Sequence, residues 1–131
     1  NESPYSDKVE WVEWIEHSEM DNLYANSDIF LFPSHEGAGM VVPEAMSHGL
    51  PVLTFDNVGP GELVGMKELA IEYGSYSESI KRFGDKLFSL YSNRKELLKF
   101  KKRIKEKHLS HLTWEAKGRI LRKELNQILK N

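Results

Sequence analysis

Residues 29–49 read Ile29-Phe30-Leu31-Phe32-Pro33-Ser34-His35-Glu36-Gly37-Ala38-Gly39-Met40-Val41-Val42-Pro43-Glu44-Ala45-Met46-Ser47-His48-Gly49. The stretch opens with an apolar run that does not alternate, bounded by Ser27-Asp28 and Pro33-Ser34. Such a run suits a strand buried on both faces, as in a parallel sheet. A polar loop with two glycines follows. Residues 40–48 then carry helix punctuation: Pro43 fits a first turn, and Gly49 fits the position just past the last one. Strand, tight loop and helix in this order form the repeating unit of parallel α/β domains.

Working outward, Leu50-Pro51 restarts an apolar strand, Val52-Leu53-Thr54-Phe55. Residues 57–61 read as a loop, Glu62-Leu63-Val64 as a short helix, and Leu69-Ala70-Ile71 as a further strand. Upstream, residues 8–15 are rich in β-branched and aromatic side chains and are expected to form a strand leading into a loop. Ser18 is a candidate N-cap for a short helix through Ala25, with Leu23 and Tyr24 as its buried contacts. From Ser75 the period changes to that of helices. Ile80, Phe83, Leu87, Leu90 and Tyr91 share one face, and Ile120, Leu121, Leu125, Ile128 and Leu129 share another. The alternation predicts a Rossmann-like parallel sheet with right-handed crossovers and helices on both faces. Residues 1–75 are expected to carry the sheet and its loops, and residues 76–131 the helices, within the one domain that 131 residues predict.

Composition narrows the chemistry. The chain has no cysteine, which excludes disulfide scaffolds, CxxC redox sites and Cys-ligated zinc. No apolar run approaches the roughly 20 residues that span a bilayer, and no charged-then-apolar leader is present. A cytoplasmic protein is expected, and since the chain begins with Asn1, a piece of a longer one. The net charge of −2 hides a split: residues 1–93 hold 16 acids and 5 bases, residues 94–131 hold 13 bases and 4 acids. That asymmetry raises peripheral contact with an anionic membrane, against the plainer reading of a solvated helical face balancing an acidic body. Nucleic acid is not expected, because no bases interleave with Trp11 and Trp14.

In open parallel sheets, ligands bind outside the carboxyl ends of the strands. Residues 33–39 lie at such an end. The glycines let the backbone approach a ligand, and the following helix start offers free N–H groups. Gly37-x-Gly39 is not a dinucleotide fingerprint, because Val42 stands at the third glycine position; a tight strand-to-helix turn explains it equally. Glu36 on the loop and Glu44 in the first helical turn can face one cleft. The structural alternatives are a solvated loop acid for Glu36 and helix-dipole stabilisation for Glu44. Ser34, His35 and Glu36 are adjacent and cannot form the spatial relay of a triad. His35-Glu36 lacks the second histidine of a zinc-protease helix, and His48 is placed to complement a helix C-terminus.

With these residues in view, the chain resembles the retaining family 4 glycosyltransferases of GT-B fold. Residues 23–34 are similar to that family's "lyaxaDvfvxPS" segment, and residues 36–46 to its "EGFGLVxLEAMA", the E-x7-E motif. His48-Gly49-Leu50-Pro51-Val52 resembles "xGxPVV", residues 59–64 resemble "GGxxELV", and Thr113-Trp114-Glu115 resembles the "sWe" that opens a C-terminal helix. The resemblance covers nearly the whole chain and implies the later part of the C-terminal, donor-binding domain. The acceptor-binding N-terminal domain, and the Arg and Lys that hold the donor diphosphate, would lie upstream. Ala38, Pro43 and Pro60 stand where the family has an aromatic, an aliphatic and a glycine.

The resemblance implies that Glu44 receives the ribose hydroxyls of a nucleotide sugar and that Glu36 is the catalytic carboxylate beside the donor hexose. It implies that Gly37, Gly39, Met40 and Val41 bind the donor through backbone N–H groups. The reaction would be hexose transfer to a glycan, lipid or small-molecule acceptor with retention, in polysaccharide or glycoconjugate synthesis. It needs no metal or cofactor beyond the nucleotide-sugar substrate, and this fragment alone would be inactive. Two rivals remain: a non-catalytic glycosyltransferase-like binding module, and a sugar-nucleotide 2-epimerase, whose usual residues lack this E-x7-E context.

Overall fold

The computed structural model describes residues 5–130. Three strands, β1 (Phe30–Phe32), β2 (Val52–Phe55) and β3 (Ala70–Ile71), form one sheet in the order β1-β2-β3. Both pairings are parallel, with Phe30 opposite Val52, Phe32 opposite Thr54, and Phe55 opposite Ile71. Side chains alternate across a strand, so Phe30, Phe32, Val52 and Thr54 share one face and Leu31, Leu53 and Phe55 the other. On the first face, α1 (His17–Ala25) sets the Tyr24 ring edge-on to Phe30 at 6.1 Å. On the second, α4 (Tyr76–Ser92) sets Phe83 edge-on to Phe55 at 5.2 Å. The sheet is therefore covered from both sides, as the sequence predicts for a Rossmann-like α/β fold.

The central strand behaves as its composition dictates: all four β2 residues are buried. Beside it, α2 (Val41–Ser47) buries Val42, Ala45 and Met46. It is wedged among β2, α3 (Pro60–Val64) and α5 (Arg94–Lys107). From the other side, α5 brings Leu97, Phe100 and Ile104 to the same core. Burying a side chain of this size contributes about 1.5–3 kcal/mol, so α2 and α5 hold each other in place more firmly than either sequence's helix propensity would. Capping fixes where the long helices start. Ser75 and Glu78 form a reciprocal capping box on α4, and Asn93 Oδ1 accepts from Glu96 N (3.1 Å) on α5.

Several expectations are corrected. Residues 8–15 form no strand: a 3-10 turn (Ser6–Lys8) is followed by irregular chain with Val9, Trp11, Val12 and Trp14 exposed. A strand exists only with a ladder neighbour, and no described strand pairs with this segment. β1 is not buried on both faces. It is an edge strand, and Leu31, which points to the α4 side, stays 43 % exposed because α4 covers Phe55 further along the sheet. The α1 cap is Glu16, whose backbone is extended (ψ 138°), so Ser18 falls inside the first turn and Leu23 remains exposed. The third short helix starts at Pro60 rather than Glu62, because proline pre-sets the first-turn φ. On α4, Phe83, Leu87 and Leu90 turn inward while Ile80 and Tyr91 face solvent. A π-helical turn (His108–Leu112) follows α5, and α6 (Trp114–Ile128) packs on it through Ala116. The predicted apolar face of α6 exists, yet Ile120, Leu121, Leu125, Ile128 and Leu129 all remain exposed.

Candidate functional site

Beyond Phe32 the chain leaves the carboxyl end of β1 as an exposed loop, and a second loop leaves β2 beside it. Asn57 ties the two. Its Nδ2 donates to the Ser34 carbonyl (3.4 Å) and lies 3.1 Å from His35 Nδ1, while its Oδ1 accepts from Gly61 N (3.2 Å). Acceptance at Nδ1 places the His35 proton on Nε2, and the ring leans on Tyr73 (5.1 Å) and Phe55 (6.2 Å). The contact between the loops is tight enough to demand glycine. A Cβ on Gly59 (φ 92°) would sit 2.7 Å from the Gly37 carbonyl oxygen and 2.8 Å from that of Glu36. One on Gly39 (φ 55°) would sit 2.8 Å from Pro60 Cγ. The backbone of residues 36–39 is thus braced from below, which suits a surface that must hold a ligand in a fixed position.

On this platform Glu36 projects to solvent, its Oε2 accepting from Ser34 Oγ at 3.3 Å. Gly37 is exposed and Gly39 buried; Met40 is exposed at the α2 cap, and Val41 is half-buried at the first helical position. No side chain caps α2; in its first turn the Val42 N–H donates to the Gly39 carbonyl (2.8 Å) and Pro43 has no N–H, so the Val41 N–H is the one left to solvent or a ligand. Glu44 lies in that first turn, is exposed, and faces α1. There the buried Tyr24 hydroxyl is held above its ordinary range, first by burial, then by the neighbouring Glu44 carboxylate as charge and hydrogen-bond acceptor, and last by Asp21. One turn along α2, His48 stacks on the Tyr24 ring at 5.5 Å and its Nε2 lies 3.2 Å from Asp21 Oδ1. The loop acid and the helix acid thus have separate partners, Ser34 and the α1 seam.

Two clefts border the loops. One, of about 580 Å³, lies on the α4 side of the sheet beneath His35 and is lined by Leu31, Phe55, Tyr73 and Phe83. The other, of about 470 Å³, has Gly37, Ala38, Gly59 and Glu62 on one wall and Lys107, His111 and Lys117 on the other. Burial lowers the Lys107 ammonium below its usual value. That cationic wall, the Asn57 brace and the Tyr24–Glu44 neighbourhood are absent from the sequence reading. Asn57 follows β2 within a loop and Lys107 ends a helix crowded with lysines, so neither carries a local signal; Tyr24 is legible only as core. Among the described residues, no group of three or more His, Asp or Glu side chains could hold a metal ion. No described helix is long and apolar enough to cross a membrane.

The profile of the family described as "Glycosyl transferases group 1" matches residues 2–107. The matched span contains all three strands, both glycine loops, Glu36 and Glu44, and it closes at the last residue of α5. No curated protein and no solved structure matches the chain. A Rossmann-like parallel sheet of the GT-B kind, joined to a family match over most of its length, makes this chain a glycosyltransferase domain belonging to the glycosyl transferases group 1 family.

Proposed function

We propose that the loop and helix following β1 form the donor side of a retaining hexosyltransferase that uses a nucleoside-diphosphate sugar. The observation that carries this reading is the braced glycine loop, residues 36–39, running into the uncapped start of α2 with a carboxylate on each side. Glu44 receives the two ribose hydroxyls, since one carboxylate can accept both hydrogen bonds. Backbone N–H groups of Gly37, Gly39, Met40 and Val41 meet sugar hydroxyls and phosphate oxygens. Lys107 and Lys117 across the cleft complement the donor's negative charge. Glu36 stands at the hexose, where its charge favours the positive charge that develops at the anomeric carbon as the diphosphate leaves.

The acceptor, a glycan, lipid or small molecule in polysaccharide or glycoconjugate synthesis, is met by a further domain of the same protein. Closure of the two domains orients the acceptor and excludes water, a term that reaches about 7–11 kcal/mol in well-aligned systems. Residues 1–131 alone are therefore expected to bind nucleotide weakly and not to turn over.

The test uses the parent enzyme. Glu36→Gln keeps the shape and removes the charge, so kcat should fall by about 10²–10³-fold with donor KM little changed. Glu44→Ala should instead raise donor KM. Wild-type kcat in Glu36→Gln would remove the catalytic role and favour the alternative, a non-catalytic binding module.

A second proposal concerns α6. Its exposed apolar stripe is flanked by Arg119, Arg122, Lys123 and Lys130, none of them ion-paired among the described residues. We propose that the stripe meets the acceptor-binding domain and that the basic flank lies toward an anionic cytoplasmic membrane. Co-sedimentation with anionic vesicles that weakens as salt rises supports the membrane contact; salt-independent behaviour removes it.

A further inference from the structure

The seam between α1 and α2 carries two cross-helix contacts, Asp21 with His48 and Tyr24 with His48. Glu44 on α2 and His48 at its C-cap are four residues apart and so share one face. Asp21 and Tyr24, three apart, share the facing side of α1. His48 Nε2 lies 3.2 Å from Asp21 Oδ1, and the His48 ring stacks on Tyr24 at 5.5 Å with planes 30° apart. Phe30 packs edge-on against the Tyr24 ring at 6.1 Å. With its ring packed on both Phe30 and His48, Tyr24 is 94 % buried, and the carboxylate beside its hydroxyl is that of Glu44, one helical turn before His48. Packing alone would be served by phenylalanine. A buried tyrosine hydroxyl instead wants a polar partner, and the one placed beside it is the carboxylate on which ribose recognition is proposed to depend.

We infer that Tyr24 is a positioning residue for Glu44: its hydroxyl, fixed by the Phe30–Tyr24–His48 stack and the Asp21–His48 pair, sets the direction of the Glu44 carboxylate toward the ribose of the donor. The inference rests on the proposed role of Glu44. A carboxylate has acceptor sites on both oxygens, so one oxygen can take the tyrosine while the other remains for ribose. Held in this way, Glu44 meets the ribose without first losing its side-chain freedom. Tyr24 touches no substrate, so its removal should change how well ribose is told from deoxyribose and leave the rest of the nucleotide's binding alone.

The experiment measures calorimetric affinities of UDP, GDP and ADP, takes the tightest binder, and compares it with its 2′-deoxy counterpart. Wild type should prefer the ribonucleotide, and Glu44→Gln should abolish that preference. Tyr24→Phe should shrink it about two- to tenfold, the range of one ordinary intramolecular hydrogen bond, with deoxynucleotide affinity unchanged. The Tyr24→Phe, Glu44→Gln double variant should then be no worse than Glu44→Gln alone. A wild-type preference in Tyr24→Phe, with the preference lost in Glu44→Gln, overturns the positioning role and leaves the Glu44 reading intact. A preference kept in Glu44→Gln, or no binding of any of the three nucleotides, overturns the Glu44 reading itself. Should Tyr24→Phe fail to fold, Asp21→Asn, at an exposed position, loosens the same seam; an unchanged preference there also overturns the inference.

Discussion

The helices α5 and α6 are both basic and amphipathic, and they meet opposite fates. α5 buries Leu97, Phe100 and Ile104 in the core that holds α2 against the sheet. Its cations reach back to the acidic body: Lys101 pairs with Asp28 at 2.9 Å, Arg94 with Asp28 at 3.6 Å, and Arg103 with Glu68 at 2.9 Å. α6 buries only Ala116, and its lysines and arginines find no acid among the described residues. Similar patterning therefore does not imply similar use. The charge split along the sequence closes on itself only in part through α5: among the described residues, Lys95, Lys99, Lys105 and Lys107 of α5 have no ion-pair partner, and neither does any cation of α6.

The largest effect that would break this contrast is in the apolar faces. Ile104→Ala should cost about 2–5 kcal/mol of unfolding free energy, because Ile104 is fully buried. Leu125→Ala, at a position 48 % exposed, should stay within about 0.5 kcal/mol. Chemical denaturation of the two variants decides it; equal losses would mean that α6 belongs to the same cooperative core.

A smaller effect sharpens it. Both helices start on a side-chain cap, Asn93 for α5 and Thr113 for α6, where Thr113 Oγ1 accepts from Ala116 N at 3.1 Å. Removing either cap costs about 0.5–2 kcal/mol locally. Asn93→Ala should lower the global melting midpoint, whereas Thr113→Ala should reduce helical circular dichroism and leave the main transition in place. A shared drop in melting midpoint would contradict the independence of α6.

The smallest effect is electrostatic. Asp28 is held below the usual aspartate value chiefly by its hydrogen bond to Lys101, burial opposing, with the Lys101 and Arg94 charges adding to the depression. A depressed folded pKa contributes stability that is complete above the ordinary aspartate value, about pH 4, and is lost as pH falls through the folded value. The pair is half exposed, so solvent screening keeps the contribution below about 1 kcal/mol. Replacing Asp28 by Asn should flatten the stability profile below pH 4, while Arg122→Gln on α6 should leave it unchanged.

Some of the site is written locally. Glu36, the two glycines and Glu44 are recognisable because a strand end, a turn and a helix start each have residue requirements that operate over a few positions. Gly39 has to be glycine for its φ of 55°, and Pro43 fits a first turn whatever surrounds it. What holds these residues comes from far along the chain. Asn57 braces Ser34 and His35 from 23 and 22 residues away, Tyr24 neighbours Glu44 from another helix, and Lys107 closes a cleft wall from the end of α5.

The order of elements from α1 onward, the β2 strand in a parallel sheet and the change to helix at Ser75 are legible in the sequence, because hydrophobic period and capping chemistry act within a few residues. Tertiary structure alone decided which apolar runs are buried. Residues 8–15 carry strand-forming side chains with no ladder neighbour among the described residues, and β1 carries a fully apolar run at the edge of the described sheet. α6 carries a complete apolar face with nothing described against it. A pattern of side chains specifies which face can be buried; whether it is buried depends on what the rest of the chain brings to it.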